Sequence, residues 1–207
     1  MKKRLAIAFS TFLAVFAAPS MADGLAEQNY GGVIVGVSQS GDEEIKEALG
    51  DMTYVTGMLN FNVAPKIDVG ASITYASAST SDYKYTQLSI GGEATYWFMP
   101  GEKVNPYVGT GVYFAKIENV ERSWWYNETE TSNEIGFIVS AGAEFDVAPR
   151  LILRAGVTLD ACDGEQDVGI NAITTFGIAE NVYLTLGAGY WTDVGDTEAQ
   201  AGIIVKF

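Results

Sequence analysis

The sequence predicts an all-β protein: a closed, antiparallel, up-and-down transmembrane β-barrel of about ten strands, with eight as the alternative count. Three observations predict it. The first is alternation. In the stretch Glu134–Asp160, Ile135, Phe137, Val139, Ala141, Ala143, Phe145 and Val147 form an apolar row, while Gly136, Ser140, Gly142, Glu144 and Asp146 form a small, polar row that Ile138 interrupts. After Ala148-Pro149-Arg150 the pattern resumes, with Leu151, Leu153, Ala155, Val157 and Leu159 against Ile152, Arg154, Gly156, Thr158 and Asp160. Period two places successive side chains on opposite faces of a strand. The second is the connections, which alternate between long and short along the chain. The third is the nature of the polar row, which is small and glycine-rich (Gly91, Gly109, Gly111, Gly187, Gly189), whereas long polar side chains gather in the connections. A soluble β-sandwich or lipocalin-like barrel would turn its apolar row inward. Here lipid outside and a tight lumen inside fit better, and only a closed barrel satisfies every strand's backbone groups in lipid.

Taken in order, the chain starts with a segment outside the barrel. Met1-Lys2-Lys3-Arg4 is basic, Leu5 to Ala18 is an apolar run of 14 residues, and Ser20-Met21-Ala22 has the small-x-small form of a cleavage site. Residues 1–22 are therefore expected to be a signal peptide, with the barrel domain at 23–207. Strands are expected at 29–38, 52–63, 67–76, 85–98, 106–117, 134–147, 151–160, 168–178, 182–191 and 199–207. Between them lie polar loops at 39–51, 77–84, 118–133, 161–167 and 192–198. The remaining connections are short turns, three of them in similar contexts, FNV-APK-IDV, FDV-APR-LIL and FGI-AEN-VYL. An even strand count puts both termini on the short-turn side.

Charge and composition exclude several functions. Removing residues 1–22 takes three of the 12 basic residues and none of the 26 acidic ones, leaving 9 against 26 and a net charge of −17. Nucleic-acid binding rests on neutralising phosphates with Lys and Arg, so it is not expected. Cys162 is the single cysteine, read as an incidental loop thiol, and no internal disulfide can form. There are no histidines. That removes Ser/His and Asp/His catalysis and histidine zinc sites. Glu144 and Asp146 remain as a bare carboxylate pair, which lumen polarity explains more simply. The expectation is a protein that is not an enzyme and carries no cofactor.

At the last strand, Ala201, Ile203, Val205 and the terminal Phe207 alternate with Gly202, Ile204 and Lys206. A final aromatic preceded by apolar residues at every second position resembles the recognition signal of bacterial outer-membrane proteins. With the signal peptide and the hairpins, the chain resembles the small outer-membrane β-barrels of the OmpA/OmpX and opacity-protein type. The resemblance implies residence in the bacterial outer membrane with both termini periplasmic. It implies contact with membrane lipid and lipopolysaccharide, and insertion by the barrel-assembly machinery through Ile203, Val205 and Phe207. Ten strands would depart from the usual eight of that group.

Candidate sites divide between lumen and loops. With a short turn at Pro149, Glu144 lies opposite Arg154, both inward, forming either a gate or a structural neutralisation of a packed interior. Asp68, Glu93, Asp146 and Asp160 share the inward parity, and Lys206 is placed to balance one of them. Water threading such an interior would favour small cations, which makes a narrow cation-preferring or porin-like pore the alternative to a structural and surface-interaction role. A small barrel is largely filled by its own side chains, which argues against a general porin. In the long loop, Trp124, Trp125 and Tyr126 are candidates for contact with a host surface, a sugar or a lipopolysaccharide head group, or for the interfacial aromatic belt. Asp160, Asp163, Glu165 and Asp167 offer oxygens of the kind calcium prefers, without the full EF-hand spacing. Tyr75, Tyr96, Phe98, Phe114, Phe145, Tyr190 and Phe207 fit interface girdles.

Overall fold

The computed structural model describes Ala26 and residues 28–122, 127–193 and 195–207. Ten antiparallel strands close on themselves: β1 (Tyr30–Gln39), β2 (Met52–Ala64), β3 (Ile67–Ser79), β4 (Tyr83–Trp97), β5 (Val104–Arg122), β6 (Asn127–Ala148), β7 (Leu151–Cys162), β8 (Glu165–Ala179), β9 (Val182–Trp191) and β10 (Thr197–Lys206). Each strand pairs with its sequence neighbours. The seam is β1 against β10, in register from Tyr30 opposite Lys206 to Gln39 opposite Thr197. The count is ten, as the alternation indicates, and not eight.

Burial along the strands runs opposite to that of a soluble barrel. Val33, Val35 and Val37 are about half exposed, while Ile34 between them is fully buried. Phe137 and Val139 are exposed, and Ser140 and Glu144 on the same strand are buried. An exposed aliphatic or aromatic side chain forgoes about 1.5–3 kcal/mol of transfer free energy if left in water. A wall of such residues on every strand is stable only against lipid. Among the described residues no helix is long and apolar enough to cross a membrane, so crossing is by strands.

The three similar turns fold alike. The ladder shifts register between Asn62 and Ala64, between Asp146 and Ala148, and between Gly177 and Ala179, so Val63, Val147 and Ile178 are the extra residues of three equivalent bulges. Lys66 and Arg150 take positive φ at 66° and 68°. Both also tie their turn to the neighbouring hairpin. The Lys66 carbonyl accepts the Trp97 N–H at 2.9 Å and its ammonium donates to the Phe98 carbonyl at 2.9 Å. The Arg150 carbonyl accepts the Gly177 N–H at 2.9 Å and its guanidinium donates to the Ala179 carbonyl.

The loop side differs from the sequence expectation. The segment expected as a loop at 39–51 holds a helix, α1 (Glu43–Leu49), whose first N–H groups at Glu44 and Ile45 donate to the Asp42 side chain. The connection expected at 118–133 is mostly strand, since β5 and β6 pair up to Arg122 opposite Asn127. That hairpin is longer than the rest, and its alternation there is Glu/Thr and Glu/Asn, which carries no hydrophobic period. The expected acidic loop at 161–167 shrinks to a turn at Asp163-Gly164, because β7 and β8 pair from Cys162 and Glu165 onward. Cys162 is accordingly no loop thiol: it ends β7 buried against Tyr113, Ala115 and Ile138.

Candidate functional site

The lumen is the candidate site, and its two halves differ. In the short-turn half, β6 and β7 set Glu144 opposite Arg154, both buried. The Arg154 guanidinium carbon stands 3.9 Å from the Tyr107 ring centroid and 5.8 Å from that of Trp97. Trp97 and Tyr107 are neighbours across β4–β5, with centroids 5.3 Å apart. The Trp97 indole N–H donates to Asp68 at 2.9 Å, and the Asn62 amide donates to the other Asp68 oxygen at 3.0 Å. Glu93, half-buried, accepts from Ser140 at 3.3 Å and Thr95 at 3.4 Å. The cluster fits because glycines face it: a Cβ at Gly109 would collide with Glu93 and Ser140, and one at Gly142 with Tyr107 and the Ala155 carbonyl. Ala26, ahead of β1, packs on Trp97 and Tyr107 at this end.

In the loop half, Asp160 is fully buried and accepts the Tyr113 hydroxyl at 3.2 Å. It lies six residues along β7 from Arg154, roughly 20 Å at the rise of a strand, so Asp160 and the Glu144–Arg154 pair belong to separate polar groups. Tyr54 donates to Glu198 across the β1–β2–β10 wall, and Tyr85 donates to Gln87. Between and around these groups runs an apolar cluster of Tyr30, Ile34, Met52, Met58, Ile117, Ile173, Tyr183, Trp191 and Ile204. Helix α1 joins it from above: Ile45 and Leu49, four residues apart on one face, are buried in the same cluster.

The remaining sequence candidates disperse. Lys206 is half-buried at the short-turn rim, its ammonium 5.1 Å from the Tyr183 ring centroid. Asp146 shares the parity of Glu144 but is exposed, because the ladder shifts there and its N–H bonds to the Lys103 carbonyl in the next turn. It therefore belongs to the rim, and the pair with Glu144 as acid and base is not formed. The four carboxylates considered for calcium split. Asp160 and Asp167 face each other inward across β7–β8, whereas Asp163 and Glu165 are exposed at the turn. Among the described residues no group of three or more acidic or cysteine side chains is arranged to hold a metal ion. Trp124, Trp125 and Tyr126 lie outside the described residues, as do residues 1–22. Ile203, Val205 and Phe207 face outward, Phe207 stacking edge-on with Phe61 at 6.2 Å. The girdle aromatics Tyr75, Tyr96, Phe98, Phe114, Phe145 and Tyr190 are likewise exposed on the outer wall.

Sequence reasoning missed Trp97 and Tyr107 as partners of Arg154, and missed α1. The first were legible, since both occupy the inward parity of their strands. The second carried a signal too: Asp42 before two glutamates, with Ile45 and Leu49 at helical spacing.

Comparison with known proteins agrees with this architecture. The model of the family described as outer membrane protein beta-barrel domain matches residues 8–175. The translocator domain of the autotransporter NalP from Neisseria meningitidis is 7% identical, with 100% of this chain and 98% of that chain covered and a TM-score of 0.57. The beta domain of the Bordetella autotransporter BrkA is 13% identical, with 88% of this chain and 100% of that chain covered and a TM-score of 0.50. These two likenesses concern the fold alone. Comparison with curated proteins gives no match. With lipid-facing strands closed into a ten-stranded barrel and a family match over most of its length, the chain belongs to the outer membrane protein beta-barrel domain family and resides in the bacterial outer membrane.

Proposed function

We propose that this is a closed, non-enzymatic barrel that reinforces the envelope and presents acidic loops at the cell surface. The observation that carries the reading is the filling of the lumen. Trp97, Trp191, Tyr30, Tyr85, Ile34, Met52 and Ile117 are all but fully buried inside it, and Leu49 of α1 joins all of these but Trp97 in one apolar cluster. On the loop side, Glu43, Glu44, Glu47, Asp51, Glu128, Glu130, Asp163 and Glu165 are exposed. Lipopolysaccharide bridged by divalent cations and host surfaces are the partners such loops suit, with Trp124 to Tyr126 supplying apolar contact. The absence of histidine from all 207 residues supports the non-enzymatic reading. We further infer that residues 1–22 are removed on export and that the barrel-assembly machinery reads the Ile203, Val205, Phe207 row.

A second reading, a narrow cation-preferring channel, draws on the inward carboxylates: Asp68, Glu93 and Glu144 in the half that holds Arg154, and Asp160 in the loop half. Planar-bilayer recording separates the two. The closed reading expects no current steps from protein verified as folded. Discrete cation-selective steps that change in Glu144→Ala or Arg154→Ala would establish the channel instead. Deleting residues 124–127 is expected to abolish surface or lipopolysaccharide binding, and unchanged binding removes that loop from the proposal.

A further inference from the structure

The loop-side mouth holds a contact that the closed-barrel reading does not use. Asp196, buried in the β9–β10 connection, accepts two hydrogen bonds on one oxygen, from the Ser40 hydroxyl at 2.9 Å and the Gly41 N–H at 3.2 Å. Ser40 in turn accepts the Asp42 N–H at 3.2 Å, and Asp42 caps α1. One carboxylate thus holds the stretch from which the helix begins. The two connections also touch through their backbones, since a Cβ on Gly41 would lie 2.5 Å from the Gly195 carbonyl oxygen. The far end of α1 is held by Thr80, whose hydroxyl donates to the Ala48 carbonyl at 2.7 Å.

Helix α1 has seven residues and buries only Ile45 and Leu49, with Glu43, Glu44, Lys46 and Glu47 exposed. A helix this short is marginal by itself, so its anchors decide its position. The charged groups acting on Asp196 are all carboxylates. Asp167 approaches from β8, where it accepts the Asp193 N–H of the same connection at 3.0 Å, and Asp42 approaches from the helix cap. Glu198, next inward on β10, is engaged with Tyr54. Burial, opposed by the Ser40 and Gly41 hydrogen bonds and reinforced by Asp167 and Asp42, pushes the Asp196 carboxyl up to about 6.

We propose that the β1–β2 connection with α1 is a proton-responsive lid over the loop-side mouth, latched by Asp196. In the latched state the carboxyl holds its proton more tightly than in water, where its value returns to 3.8. The latched state therefore binds more protons than the released one between those values. Latching strengthens as pH falls through about 6 and weakens as pH rises through it, by up to about a hundredfold in the closed-to-open ratio. Release takes Ile45 and Leu49 out of the buried cluster they share with Met52, Tyr54 and Trp191 and opens that cluster to a ligand or to solvent.

The test is a spin label at Glu47→Cys in a Cys162→Ser background, in lipid vesicles, from about pH 4.5 to about pH 8. The expected result is a label whose mobile fraction grows as pH rises towards about 6 and levels off above it, with Asp196→Asn flat across the range. Asp167→Asn, which removes a neighbouring charge and keeps the latch, is expected to move that levelling-off to lower pH. A wild-type label insensitive to pH overturns the proposal, and so does a titration that survives unchanged in both variants. The readout does not depend on current, so a silent barrel leaves the lid question open to its own answer.

Discussion

Arg154 lies directly across the β6–β7 ladder from Glu144 and stacks its guanidinium on Tyr107 at 3.9 Å. Both charges are buried, so removing one strands the other in a low-dielectric interior. Arg154→Ala is expected to destabilise the barrel by about 3–5 kcal/mol, while Glu144→Gln combined with Arg154→Met costs less than the sum of the two single changes. Urea unfolding in lipid vesicles measures both. Single variants as stable as the wild type would show that the pair has no structural role.

The outward row makes a graded prediction. Val139, mid-strand on β6, and Val147, next to the short turn, are both exposed on the outer wall. Arginine at Val139 is expected to cost about 2–4 kcal/mol and at Val147 no more than about 1 kcal/mol, because the cost of charge falls from bilayer midplane to interface. Equal costs at the two sites would contradict the membrane placement of β6.

Close approach inside the lumen sets a third. A Cβ at Gly142 would meet the Ala155 carbonyl, which cannot rotate away, whereas one at Gly92 meets only the Gly70 carbonyl at 3.6 Å. Gly142→Ala is expected to lose about 1–3 kcal/mol to overpacking, and Gly92→Ala to be close to neutral. Thermal unfolding followed by the gel shift between folded and unfolded barrel distinguishes them.

Phe207 touches Phe61 edge-on and is otherwise exposed. Phe207→Ala is expected to change the stability of refolded protein by no more than about 1.5 kcal/mol, yet to lower the folded fraction recovered from outer membranes severalfold. Loss in the test tube matching loss in the cell would assign Phe207 to packing and not to assembly.

The sequence by itself determined the barrel, the direction its apolar face points and the opposition of Glu144 to Arg154, and it pointed to ten strands with eight left open until the closed ladder decided for ten. The first three follow from period-two alternation and turn length, which are local. The tertiary structure alone decided which inward residues meet. Arg154 reaches Tyr107 and Trp97 on strands 47 and 57 residues away in sequence, a proximity set by barrel closure and shear. It also decided the loop side. The β5–β6 extension pairs above the membrane, where both faces meet water and no hydrophobic period marks a strand. Asp196 finds Ser40, 156 residues away in sequence, only because the seam between β1 and β10 brings their two connections together.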